Sequence, residues 1–298
     1  MRNRIIYIAG YGRSGSTLLD MALGQHPDIF GSGEISAMCR HVWRENELCA
    51  CGARIRDCTV WGPIMAAWGK SYDPEEYFAL QRTIEPLLAP ARIFGGGKLA
   101  AYQAQTRAMF DAIRQVSGAP VILDSSKAPG RALALARDPE VDLRVIHLVR
   151  DARAVAHAMN RAIPLDVEKG VQKKIVPRSP LRTALRWRMY NTMVERLRRS
   201  VPRDAFVRVR YEDFTRDTAG EMARIARAVD IDLAPIVAAI ADGAKIAPHH
   251  QMAGSRIRMR GPVELRFDDG WTRKMSEAAQ RTVVLAARRQ LTDYGYLN

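Results

Sequence analysis

Positions 4–9 (Arg-Ile-Ile-Tyr-Ile-Ala) form a short, β-branched apolar run that stops at Gly10, which predicts a buried parallel strand. A helix is expected directly after it, over 17–23. The same strand-then-helix alternation returns three times: 121–124 before a helix over 132–137, 144–149 before 152–159, and 206–210 before 220–229. Such alternation predicts an α/β fold, a parallel sheet flanked by helices with ligands at the carboxyl ends of the strands. About 110 residues with little strand character separate the first run from the second. Within them, helical patterns over 75–88 and 98–116 suggest a helical cap inserted after the first βα unit, at about 38–118, broken at Gly95-Gly96-Gly97. A second irregular stretch, 164–180, carries Lys169, Lys173, Lys174 and Arg178 among Pro and Gly. It reads as a solvated basic loop or as a lid on the acceptor side. The expected organisation is one domain over 1–298.

The composition, 47% hydrophobic and 26% charged, is that of a chain able to bury a full core. No apolar stretch approaches the roughly 18 residues that span a bilayer. The run after Arg2 and Arg4 is too short for a signal h-region, so cytoplasmic residence is expected. A net charge of +14, from 46 Lys and Arg against 32 Asp and Glu, favours anionic partners. Nucleic acid is not the expected one, because the arginines are dispersed and no nucleic-acid-binding signature is present.

All four cysteines, Cys39, Cys49, Cys51 and Cys58, fall within 20 residues, just before Trp61. A zinc site would take His41 as a further ligand, but Cys-x-Cys followed by Cys after six residues is not the usual paired knuckle. A local structural clip or reduced thiols beside Trp61 is the simpler reading, and no metal is expected. The adjacent His249 and His250 are left without a role.

The strongest chemical signal is Gly10-Tyr11-Gly12-Arg13-Ser14-Gly15-Ser16-Thr17, set between a strand and a helix. Glycines there let the backbone turn tightly and aim N–H groups at an anion on the helix N-terminus. Against the Walker pattern the loop keeps Gly10, Gly15 and Thr17, has Ser16 where the lysine should stand, and carries a cation at Arg13 instead. A magnesium-dependent kinase with Asp124 as metal ligand would need that lysine. A non-catalytic anion- or RNA-binding module would explain the charge but not the polar residues gathered at the ligand-facing edge. Among these, Glu34 after Gly-Ser-Gly suits either the first turn of a helix or a general base.

The loop resembles the 5′-phosphosulfate loop of sulfotransferases that use 3′-phosphoadenosine-5′-phosphosulfate (PAPS). Three further segments share that likeness in order and spacing: His26 to Glu34, Val149 to Val155, and Arg210 to Phe214, with Trp271 and a final helix closing the chain. The cysteine segment also looks like bacterial members, whereas 62–118 matches no motif. The resemblance implies a bacterial member similar to tyrosylprotein and carbohydrate sulfotransferases, with PAPS as co-substrate and no metal in the reaction. It implies that Arg13 and the N–H groups of Ser14, Gly15, Ser16 and Thr17 cradle the 5′-phosphosulfate. Glu34 becomes the general base, while Lys127 and Arg13 stabilise the transition state. Arg150 holds the 3′-phosphate, Tyr211 borders the nucleotide, and Ser255 and Arg256 add contacts from a late loop. Ala158 departs from the family's usual serine, and Arg161 is the nearest cation to stand in. The implied acceptor carries a hydroxyl on a glycan, a peptide tyrosine or a small alcohol or phenol, and the basic stretch 164–180 favours an acidic one.

Overall fold

The computed structural model describes residues 2–86, 97–162, 164–166 and 176–297. Lys169, Lys173 and Lys174, Gly95 and Gly96, and the end of the helix expected over 75–88 lie outside the described residues. Five parallel strands form one sheet in the order β2-β3-β1-β4-β5. They are β1 (Asn3–Ala9), β2 (Ile29–Gly31), β3 (Val121–Lys127), β4 (Val141–Val149) and β5 (Phe206–Arg210). Three-residue β2 is the strand that the apolar pattern did not reveal. It pairs with β3 at the sheet edge and is too short to show a period.

Alternation along β1 divides the core. Ile5 and Tyr7 face one layer, and Ile6 and Ile8 the other. The first layer is the inserted segment, with α2 (Trp61–Gly69), α3 (Pro74–Ile84) and α4 (Gly97–Ser117) packing Trp61, Trp68, Tyr77, Tyr102 and Phe110 beside α5 (Pro129–Ala136). The insertion is therefore an integral layer of the sandwich. Against the second face pack α1 (Ser16–Leu23) and α9 (Thr218–Val229), which follows the short α8 (Tyr211–Arg216), then α10 (Ala234–Ala241). A third cluster joins α6 (Ala152–Met159) and α7 (Pro180–Leu197) through Trp187 to α12 (Glu277–Asp293), which follows the one-turn α11 (Trp271–Lys274). Each fully buried Ile, Leu or Val contributes about 1.5–3 kcal/mol. No helix among the described residues is long and apolar enough to cross a membrane.

Two features fix the end of β3. Its Asp124 is buried with Arg131 of α5, Oδ2 accepting from Nε at 2.7 Å with neither side chain exposed. Arg131 continues to Tyr102 Oη at 2.7 Å, Tyr77 Oη at 3.3 Å and Glu85 Oε1 at 3.4 Å. Burial works against its charge, but Tyr102, Asp124, Tyr77 and Glu85 hold its pKa well above the usual value. The second feature is an extra residue in β3: Tyr7 pairs with Asp124 but Ala9 with Lys127, a bulge of the kind that re-aims a side chain beside a site. Lys127 has a φ of 65°.

Removing one partner of a buried ion pair strands the other charge. Arg131→Met is expected to cost about 3–5 kcal/mol of stability, measured by urea denaturation. A loss under 1 kcal/mol would show that the pair does not anchor the inserted layer.

Candidate active site

All five strands deliver their carboxyl ends to one rim. The loop after β1, Glu34 after β2, Lys127 ending β3, Arg150 after β4 and Tyr211 after β5 line a single cavity of about 650 Å³. A long loop, residues 250–260, adds Gly254, Ser255, Arg256, Arg258 and Arg260 to its wall. Of the residues expected from the sequence, Arg13, Gly15, Ser16, Thr17, Glu34, Lys127, Arg150, Tyr211, Ser255 and Arg256 meet here. Ser14 is not among the lining residues, and its side chain is buried.

The phosphate loop is shaped by what surrounds Gly15. Its φ is +93°, and a Cβ there would sit 2.5 Å from the Tyr211 ring, so only glycine lets α1 begin at this point. Gly15 also caps α1 without a side-chain hydrogen bond, leaving first-turn N–H groups for an anion. Arg13 lies in the same wall. Burial first, and then the Arg256 cation, lower its pKa from the usual arginine value, with Glu34 acting in the opposite direction.

Across the cavity Lys127 Nζ donates to Glu34 Oε1 at 2.7 Å and to the Ser125 carbonyl at 2.7 Å. Glu34 is held by its backbone as well. Its N–H donates to the Met252 carbonyl at 2.9 Å, Met252 N–H donates to the Ser32 carbonyl at 3.0 Å, and Gly33 bridges Met252 in parallel. The late loop thus runs beside the glutamate as a strap and reaches the phosphate loop, where Ser255 N–H donates to Thr17 Oγ1 at 3.1 Å.

Arg150 packs its guanidinium 4.4 Å over the Tyr211 ring. It donates to Asp268 Oδ2 at 3.1 Å and to the Arg13 carbonyl at 3.3 Å. Its buried Nε has no partner among the described residues. Ala158 and Met159 give this part of the wall an apolar surface, and Arg161 is not among the lining residues. Arg178, from the second basic stretch, reaches Tyr11 Oη at 3.3 Å. Asp124, the candidate metal ligand of the kinase alternative, is turned from the cavity into its pair with Arg131. His41 pairs with Glu47 at 2.5 Å in the cavity wall instead of joining the cysteines. Cys39 also stands apart from them, its thiol pushed up to about 12, chiefly by burial.

Sequence reasoning missed Asp20. It lies fully buried on α1 and accepts from Gly33 N–H at 3.2 Å, beneath the turn that presents Glu34. An acid within the apolar run Leu18-Leu19-Asp20-Met21-Ala22-Leu23 was the available signal. Burial raises its carboxyl to about 7, against the lowering influence of Ser125, Gln251 and the Gly33 amide.

The fold and this rim define an α/β protein with a glycine-rich strand-to-helix loop sharing a cavity with a carboxylate–lysine pair. The sequence model of the sulfotransferase family matches residues 6–235, and the chain belongs to that family. No curated protein matches it in sequence. Among solved structures, it is similar to the sulfotransferase domain of the Synechococcus PCC 7002 olefin synthase, at 20% identity and a TM-score of 0.52, covering 97% of this chain and 94% of that one. It is also similar to sulfotransferase STF9 from Mycobacterium avium, at 13% identity and a TM-score of 0.51, covering 99% of this chain and 78% of that one. At these identities the likeness establishes the fold.

Asp20 gives a pH signature. Folding raises its carboxyl from about 3.9 in an unfolded chain to about 7, so between those values the folded state holds the extra proton. Its contribution to stability therefore falls as pH rises from about 4 to about 7, by at most about 1.4 kcal/mol per pH unit, and then levels. Asp20→Asn should lack this decline, so its stability relative to the wild type rises across that window in urea unfolding at stepped pH. Parallel profiles would remove Asp20 from the linkage.

Proposed function

We propose that this chain transfers the sulfuryl group of PAPS to an acceptor hydroxyl by in-line displacement at sulfur. The observation that carries the reading is the 2.7 Å contact between Lys127 Nζ and Glu34 Oε1, in the same cavity as the N-terminus of α1. A carboxylate and an ammonium facing a phosphate-binding turn suit a reaction that removes a proton at one point while charge grows at another.

The donors present fit the co-substrate. The N–H groups at the start of α1 and Arg13 suit a 5′-phosphosulfate. Arg150, whose Nε has no partner among the described residues and whose plane is stacked on Tyr211, suits the 3′-phosphate, with Ser255 and Arg256 closing from the late loop. The cavity of about 650 Å³ lies within the usual range for small-molecule sites. When bound, PAPS supplies the activated sulfuryl group and departs as 3′,5′-adenosine bisphosphate.

Glu34 accepts the proton of the attacking hydroxyl. Lys127 and Arg13 stabilise negative charge on the leaving phosphate, fixed donors of this kind being worth about 3 kcal/mol each in a transition state. Lys127 links the two events: turning its ammonium toward the phosphosulfate releases Glu34 Oε1 to receive the proton. Fixed cations serve this step, which as written uses no metal. For the acceptor, Arg40 and Arg260 in the wall favour a hydroxyl-bearing molecule that is itself acidic.

Glu34→Gln is expected to lower kcat by roughly 10²–10⁴ with bisphosphate binding nearly unchanged, and retained turnover would move the base elsewhere. Thermal unfolding tests the nucleotide class. At about 100 times its Kd a ligand adds roughly 2.7 kcal/mol, so 3′,5′-adenosine bisphosphate without magnesium should raise Tm by several degrees. Stabilisation by ATP with magnesium alone would overturn the reading.

A further inference from the structure

Cys49, Cys51 and Cys58 converge on a residue from the other end of the fold. Their sulfurs and one ring nitrogen of His250 all lie within 4.8 Å of one another. Cys58 Sγ is 3.7 Å from Cys49 Sγ and 3.8 Å from Cys51 Sγ. His250 Nδ1 is 3.3 Å from Cys58 Sγ and 3.8 Å from Cys49 Sγ. Around tetrahedral zinc, bonds of about 2.3 Å to sulfur and about 2.0–2.1 Å to nitrogen give S···S edges of about 3.8 Å and S···N edges of about 3.6 Å. A disulfide would bring two of the sulfurs to about 2.05 Å and would leave the imidazole without a purpose in the cluster.

We propose that Cys49, Cys51, Cys58 and His250 bind one zinc ion in a closed Cys₃His structural site. Three thiolates and an imidazole at tetrahedral spacing select zinc over magnesium or calcium, which take oxygen ligands. Each cysteine binds as the thiolate and releases its proton to solvent. The local backbone is built for convergence. Cys49 N–H donates to the Ala53 carbonyl at 2.9 Å and Gly52 N–H to the Cys49 carbonyl at 3.0 Å, closing a tight turn that carries both Cys49 and Cys51. Trp61 N–H points at Cys58 Sγ at 3.5 Å, the kind of outer contact that steadies a thiolate ligand. Cys51 is exposed while Cys49 and Cys58 are buried, which leaves an entry path on one side.

The site explains how the cysteine turn and the late loop stay together. Trp61 Nε1 donates to the His250 carbonyl at 2.6 Å, Ala50 N–H to the Gln251 carbonyl at 3.2 Å, and Arg258 Nη2 to the Leu48 carbonyl at 3.1 Å. His250 stands two residues before Met252, whose carbonyl holds the Glu34 amide. Zinc therefore pins the strap that runs beside Glu34 and carries Ser255 and Arg256 to the cavity wall. The assignment does not depend on the reaction proposed above.

The test is zinc content by plasma mass spectrometry on full-length protein purified under reducing conditions. The wild type should carry about one zinc per chain, as a closed structural site does. Cys51→Ser and His250→Ala should lose most of it, while Cys39→Ala keeps it. Unchanged zinc in both ligand variants overturns the proposal, as does a folded, metal-free wild type that takes up no zinc on titration. A disulfide among these cysteines in the mass of the non-reduced chain overturns it too. Chelation of the wild type guards against a variant that fails to fold. Removing zinc should lower Tm, with recovery on adding zinc but not magnesium, and an unaltered Tm after complete removal counts against the site.

Discussion

A guanidinium and a carboxylate buried together would be among the most costly features of a core if either lacked a partner. The Asp124–Arg131 pair avoids that cost because Arg131 also meets Tyr102, Tyr77 and Glu85 from the inserted segment, while Asp124 Oδ1 accepts from Ser126 N–H at 2.9 Å. The inserted layer cannot shift on the sheet without unpairing charge. Lys127, three residues beyond Asp124, inherits a fixed origin, and the bulge in β3 directs it toward Glu34. The geometry of the rim thus begins with an ion pair that never reaches the cavity.

From that origin the site is assembled by segments that hold one another. The turn bearing Glu34 is bonded from below by Asp20 and from the side by Met252. At Gly33, with φ +76°, a Cβ would stand 2.2 Å from the Met252 carbonyl, so strap and turn approach as closely as two backbones can. The strap is in turn tied to the cysteine turn through Trp61, Ala50 and Arg258. Support of this kind from several segments fixes the position of the Glu34 carboxylate within the rim.

Electrostatics set the resting state. Arg150 Nη2 donates to both the carbonyl and the carboxylate of Asp268, while Lys127 occupies Glu34. The charges of these two cations are therefore paired within the rim itself.

Much of this was legible along the chain because it rests on local chemistry. Glycine spacing after an apolar run announces the tight loop between β1 and α1, alternation of strand and helix announces the parallel sheet, and the polar residues closing each strand, Lys127, Arg150 and Tyr211, announce the rim. Helix α6 has the bounds that its periodicity predicted. Three-residue β2 was hidden by its length, and Asp20 by an apolar helix whose pattern does not say which neighbour a buried acid will meet. Charge content and the alternation of strands with helices were written in the residues themselves. The partnership of Glu34 with Lys127 across 93 positions, of Arg131 with the inserted helices, and of His250 with three cysteines some two hundred residues earlier was decided only by tertiary packing. Those contacts depend on how layers close in space, and no periodicity of a single chain encodes the distance between segments that meet only after folding.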